Sequence, residues 1–290
     1  MMNSQSLIDP NNAWTKIIRP KRSLLDLRLR ELWRARELIV LFVWRDFVSV
    51  YKQTVLGPLW YVIQPVLTTI VFTVIFGNIA KLPTDGLPPF LFYMAGNTIW
   101  SYFSACLVGT SNTFTANAGM FGKVYFPRMS IPISVIISNM ISFAIRFGMF
   151  ILFLVYFILS GSSIHPNWWI LLLPVLMLIM ALLGLGIGII VSSLTTKYRD
   201  LQQLVGFGVQ LLMYGTPVIY PFSTIKNGFL HWLILANPMT PVVEVFRLAF
   251  LGVSAIDPIS LVYSAGFAVV VFLAGVLIFN HVQNNFMDTV

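Results

Sequence analysis

Long apolar runs, most of them twenty residues or more, alternate along the chain with short polar breaks. A helix rising roughly 1.5 Å per residue crosses the roughly 30 Å of bilayer hydrocarbon in about 20 residues. The pattern therefore predicts six crossing helices, over residues 55–80, 90–112, 131–160, 168–194, 201–220 and 259–280. The fold class that follows is an all-α polytopic membrane protein.

Ahead of the first span the pattern changes character. Residues 1–22 are polar and carry no signal-peptide pattern, so the first span is expected to direct insertion. Ser23, with Asp26 three residues on, reads as a helix N-cap with a capping-box-like acid. Leu25, Leu29, Leu32 and Trp33 then recur at helical spacing, with Arg28, Arg30, Glu31 and Arg34 largely around the other face. Such a helix lies in the membrane interface. It extends through Trp44, Arg45 and Asp46, whose charges argue against a crossing, and the segment is assigned to 23–54. Residues 55–280 form the spanning domain and 281–290 a short tail.

Two connecting segments stand out. Between the second and third spans, residues 113–130 hold Lys123 and Arg128, with Pro127 and Pro132 flanking the arginine. Only a short helix along the surface fits before Pro127, a shape that a second protein could grip; an ordinary membrane loop fits as well. Between the fifth and sixth spans, residues 221–258 contain two apolar runs, 229–236 and 241–251, split by Asn237-Pro238 and Thr240-Pro241. Both are too short to cross, so they are expected to dip in and return, which irregular backbone can do only where protein or water covers it. Glu244 and Arg247, three apart on one helical face, can pair and lessen their cost of burial.

Charge orients the whole. Ten Lys and Arg precede Gly57, and Lys123, Arg128, Lys197 and Arg199 bring the predicted cytoplasmic total to fourteen, against Lys81, Lys226 and Arg247 outside. The N-terminus, and with six spans the C-terminus, is therefore expected in the cytoplasm. Arg146 lies within the third span with no acidic partner in any span. A central charge costs at least ~2.5 to 3.5 kcal/mol on insertion scales, so it should face water or carbonyls inside the protein.

Composition narrows the function. With 58% hydrophobic and 10% charged residues, the chain offers only isolated acids in its loops, and no catalytic or metal site is expected. The predicted spans contain no Asp, Glu or His, which an ion-coupled carrier needs. Energy must come from elsewhere, or the protein is a passive pore. Gly184-Leu185-Gly186-Ile187-Gly188 imitates a nucleotide-binding pattern but sits inside an uncharged span, where close helix packing is the better reading. No phosphate-binding loop ends in Lys followed by Ser or Thr, so any ATPase is a separate subunit. The one cysteine, Cys106, lies in an apolar run and supports no disulfide framework. No nucleic-acid partner is expected.

Five motifs occur in order: Gly57-Pro58-Leu59-Trp60; Lys123 with Phe126-Pro127-Arg128; Tyr198-Arg199-Asp200; Pro217-Val218-Ile219-Tyr220-Pro221; and Asn237-Pro238-Met239 with Phe246-Arg247. Together they resemble the permease subunits of type-2 ABC exporters, in the group that exports O-antigen, capsular polysaccharide or teichoic acid. The resemblance runs from about Leu24 to the C-terminus. It implies a homodimer bound to two copies of a nucleotide-binding subunit that carries the ATP and Mg. It also implies an amphipathic interface helix, a cytoplasmic coupling helix at about 115–125, and a re-entrant hairpin at the outer mouth. The substrate it implies is a polyprenyl-diphosphate-linked polysaccharide moved outward across the bacterial inner membrane. A type-2 exporter of a drug or another lipid, and an ATP-independent channel or scaffold, are the alternatives.

Candidate residues follow from these readings. Met120, Phe121, Lys123, Tyr125 and Arg128 are the ATPase-coupling set, with aromatic anchors for a partner's groove. Arg30, Arg34 and Arg45 are candidates for the lipid diphosphate, since guanidinium makes bidentate contacts to phosphate oxygens. Trp60, Tyr61, Phe72, Trp100, Tyr102, Tyr214 and Tyr220 are candidates to line a glycan channel, because aromatic faces stack on sugars. Glu244 and Arg247 are candidates for an outer gate.

Overall fold

The computed structural model describes residues 29–52, 56–121, 126–195, 200–225 and 228–285. All regular structure among them is helical. Ser23, Asp26 and the first turns of the expected interface helix lie outside the described residues.

The interface segment comprises α1, Leu29–Arg34, and α2, Arg36–Tyr51, broken at Ala35 (φ −88°, ψ 12°). Leu32 and Phe42 are buried, and α2 packs against the third long helix. Trp33, Val40, Leu41 and Trp44 are exposed. Gly57, at φ +50°, starts a tight turn that leads into α3, Trp60–Phe72; a side chain there would be strained. The helix winds on as a π-helical stretch, Thr73–Ile79.

The remaining elements are α4, Pro89–Ser111; α5, Thr113–Phe121; α6, Ser130–Leu159; α7, Leu173–Thr195, preceded by a 3₁₀ turn at Trp168–Leu172; α8, Leu201–Tyr214; α9, Phe229–Leu235; α10, Met239–Leu251; and α11, Leu261–Asn285. Among the described residues four helical stretches are long and apolar enough to cross a membrane, Trp60–Ile79, Ser130–Leu159, Trp168–Thr195 and Pro258–Val282, or five if the bent pair Phe229–Leu235 and Met239–Leu251 is one span. The chain is an integral membrane protein. Helices α9 and α10 are bent by 78° at the break between them.

Helix α4 is as long as a span but more polar, and it is covered by protein from α6 and α7. Its Ser and Thr hydroxyls are satisfied within the helix: Thr98 Oγ1 donates to Met94 O at 2.8 Å and Thr110 Oγ1 to Cys106 O at 2.6 Å. Small residues bring α7 close to its neighbours. A Cβ at Gly184 would lie 2.7 Å from Cys106 Cβ, and one at Gly188 2.6 Å from Thr110 Cβ. This is the close packing expected of that glycine run.

Helix α8 stops at Tyr214, whereas the apolar pattern runs on to 220. Fourteen residues rise only about 21 Å. Pro217 is the physical reason, since it has no amide to donate and disfavours helix at the residue before it. Residues 215–220 are unwound in consequence, and their carbonyls need partners from elsewhere.

Candidate functional site

At the end of α4 the chain turns at Asn112 directly into α5. Thr113 Oγ1 donates to Thr110 O at 2.7 Å, and the Phe114 amide donates to Ser192 Oγ on α7 at 3.1 Å. Phe114 and Phe121 then point inward. Phe114 stacks on Phe279 of α11 (4.8 Å between centroids), Phe121 on Phe126 (5.7 Å), and Phe126 meets Phe42 of α2 edge-on (5.8 Å). These rings belong to one buried cluster with Leu32, Met129, Ile131, Leu185, Ile189 and Val276.

The expected coupling residues are placed unevenly by this arrangement. Phe121 is 4% exposed, so its ring is an internal packing element and not a free anchor. Arg128 lies over it at 5.5 Å, and burial lowers its guanidinium from the ordinary arginine value. Met120 is half-buried, and Ala116 and Gly119 form the exposed side of α5. Lys123 and Tyr125 lie outside the described residues.

On the interface segment Arg30 and Arg34 are exposed and one turn apart. Arg45 is not brought to them. It lies eleven residues beyond Arg34, roughly 16 Å along a helix, and holds Asp46 through Nη2 at 2.7 Å and Nε at 2.8 Å. Its guanidinium also sits 4.9 Å over Phe42.

The aromatic candidates divide into two groups. Trp60 and Tyr214 are exposed, and Tyr61, Phe72 and Tyr220 half-buried. Tyr61 stacks on Phe47 (6.2 Å), while Phe72 meets Phe76 and Tyr93 edge-on. Tyr214 and Tyr220 line a cleft of about 520 Å³ with Leu230, Leu233 and Ile234 of α9, and Tyr220 Oη donates to Tyr214 O. Trp100 and Tyr102 are 5% and 1% exposed in the protomer core, against Phe103 and Phe143. A path lined by surface side chains cannot include them without repacking that core.

Glu244 and Arg247 come together on α10 at 3.2 Å, both almost fully buried. Sequence reasoning paired them but missed what surrounds them. Arg247 Nη1 donates to Pro217 O at 2.6 Å and Nη2 to Val218 O at 2.8 Å, satisfying the carbonyls that the end of α8 releases. Its guanidinium carbon lies 3.7 Å from the centroid of Phe92 on α4. Glu244 in turn accepts from the Ala255 amide at 3.1 Å and Ser254 Oγ at 3.4 Å. One ion pair thus fastens α4, the unwound segment, α10 and the following loop. Pro217 is the sequence signal that carbonyls would be free there. Among the described residues no group of His, Cys, Asp or Glu could hold a metal ion.

Buried helices crossed by a clasp of this kind, flanked by long helices with exposed apolar sides, make up a membrane-embedded bundle. Residues 37–251 match the model of the ABC-2 type transporter family, and the chain belongs to that family. It is 29% identical over 263 residues to the O-antigen export system permease protein RfbA of Myxococcus xanthus, covering 90% of this chain and 98% of that one. A Klebsiella pneumoniae protein of the same name is 29% identical over 87% of this chain and 94% of its own. The polysialic acid transport protein KpsM of Escherichia coli is 26% identical over 81% and 89%.

Proposed function

We propose that the chain is the membrane-spanning subunit of an ATP-driven exporter that moves a polyprenyl-diphosphate-linked polysaccharide outward across the bacterial inner membrane. The observation that carries this reading is similarity over nearly the full length to permeases of O-antigen export and to a polysialic acid transport protein. ATP hydrolysis belongs to a separate nucleotide-binding subunit, two copies of which serve a dimer of this chain.

The topology in this reading has six spans, α3, α4, α6, α7, α8 and α11, with both termini cytoplasmic. Helix α4 counts because protein, and not lipid, covers it. The unwound 215–220 segment completes the path of α8, and the 78° bend between α9 and α10 supports a hairpin that turns back at the outer face. Helix α5 is the coupling element. Its exposed Ala116 and Gly119, with Met120 beside them, offer a partner a shallow seat.

Deletion of the coding sequence in its host, followed by surface-glycan staining and analysis of intracellular lipid-linked glycan, tests the proposal. Surface polysaccharide is expected to disappear while its lipid-linked form accumulates inside, and complementation should need both this chain and an active ATPase. Undiminished surface glycan without accumulation would discard the reading.

A further inference from the structure

The loop from α3 to α4 is held away from the shape its residues prefer. Among the described residues Lys81 and Asp85 are the two non-glycine residues with positive φ, both at 51°, and Gly86 follows at 78°. A residue with a Cβ is strained in that left-handed conformation and keeps it only where its surroundings enforce it. The helix that leads into the loop is unusual as well. Thr73–Ile79 is π-helical, and the Ala80 amide still reaches back five residues to donate to Ile75 O at 2.8 Å. Such turns are rare and gather at functional sites.

Both flanks of the loop are anchored. Leu82, half-buried, and Leu87, buried, pack into the main core, and Thr84 Oγ1 donates to Leu87 O at 2.7 Å. Between them Asp85 is exposed and accepts from Ser223 Oγ at 2.7 Å, a contact between residues 138 apart in the chain. Among the described residues no other hydrogen bond joins residues 80–88 to 215–225. Asp85 is also within electrostatic reach of Arg247, whose guanidinium holds the Pro217 and Val218 carbonyls. One carboxylate thus restrains the chain beyond α8 directly at Ser223, and indirectly through the cation that grips 217 and 218.

We propose that residues 80–88 are a spring-loaded strap: the bond between Asp85 and Ser223 latches it across 221–225 and keeps that segment closed, and breaking the bond lets the loop relax and the segment move. The strain at Lys81 and Asp85 opposes the latch. Re-forming the π turns of 73–79 with ordinary i→i−4 bonds rotates everything that follows, which gives the strap its route away from Ser223. That the strap lies at the outer mouth, and that its release accompanies export, rest on the function proposed above.

Hydrogen–deuterium exchange of the purified full-length chain in detergent tests the latch without reference to export. Asp85→Ala removes the acceptor and should raise the exchange rate over 221–225 roughly fivefold, as loss of about one hydrogen bond does. Lys81→Gly removes strain and leaves the latch, and should lower that rate by a similar factor. A loop that merely supports the fold would loosen in both variants, so any pattern other than these opposite shifts overturns the proposal. In cells, Asp85→Cys with Ser223→Cys in a Cys106→Ala background is bridged by a short bifunctional thiol reagent that a reductant cleaves. The bridged chain is expected to stop exporting glycan and to resume on reduction; export at the unbridged level, or a pair that cannot be bridged, overturns the latch. Absence of glycan export by the unsubstituted chain retires the proposed function instead, and the exchange rates still decide the strap.

Discussion

The central carbon of the Arg247 guanidinium stands 3.7 Å from the centroid of the Phe92 ring, with Glu244 and two backbone carbonyls accepting from its amino groups. These partners make the buried cation tolerable, although its Nε finds none, and removing one member of such a set exposes the rest. Arg247→Met should therefore destabilise the chain by about 3 to 5 kcal/mol, because Glu244 is left charged and buried and the Pro217 and Val218 carbonyls lose their donors. Glu244→Gln keeps an acceptor for the Ala255 amide and should cost less. Melting temperatures of the two purified variants in one detergent check the order; equal melting points would refute it.

Glycines on α7 and α8 make a controlled pair. Gly188→Ala drives a methyl to 2.6 Å from Thr110 Cβ and forces α4 and α7 apart, at a cost of about 1 to 3 kcal/mol. Gly206→Ala meets nothing within 4 Å, and should be neutral or stabilise α8 by up to about 1 kcal/mol through helix propensity. Thermal unfolding of both variants gives the comparison directly.

Helix α5 separates two kinds of defect. Phe121→Ala opens a hole among Phe114, Phe126 and their neighbours and should cost roughly 3 to 5 kcal/mol, seen as a lower melting temperature of the permease alone. Gly119→Arg points a long side chain into open space. It should leave the melting temperature unchanged and reduce co-purification with the nucleotide-binding subunit. If Gly119→Arg binds its partner as wild type does, the exposed side of α5 is not the seat.

The loop before α7 is tied to the end of α10 at Asn167, whose backbone amide donates to Ala249 O at 3.0 Å. Asn167 Nδ2 donates to Leu248 O at 3.0 Å, while its carbonyl accepts from the Trp169 amide at 3.1 Å. Asn167→Ala should cost about 1 to 2 kcal/mol, and should raise deuterium uptake at 248–252 and 165–170 together. Uptake confined to one of the two segments would show that they are not coupled through this residue.

Hydropathy is readable where lipid imposes it, and the long helices α3, α6, α7 and α11 follow the apolar runs closely. Helix α4, Pro89–Ser111, also follows the apolar run read at 90–112, although it is more polar than the others and protein covers it. The end of α8 was not read, although Pro217 lay in plain view, because the apolar residues continue to Tyr220 and composition alone ignores a missing amide. The facing of Phe121, Trp100 and Tyr102 was not legible either. In a membrane both the lipid side and the protein side of a helix are apolar, so the period that separates inside from outside in water carries little information. The pairing of Glu244 with Arg247 was readable from spacing, whereas the carbonyls that share the arginine come from a segment about thirty residues away.

The inner aromatic cluster has a mechanical corollary. Phe42, Phe126, Phe121, Phe114 and Phe279 form an unbroken file of touching rings from α2, through the segment around α5, to α11. Close-packed interiors yield by rotating as a body and not by compressing. If α5 takes the partner's stroke, as proposed, α2 and α11 tilt along with it, as the arms of a stiff elbow swing about a single joint.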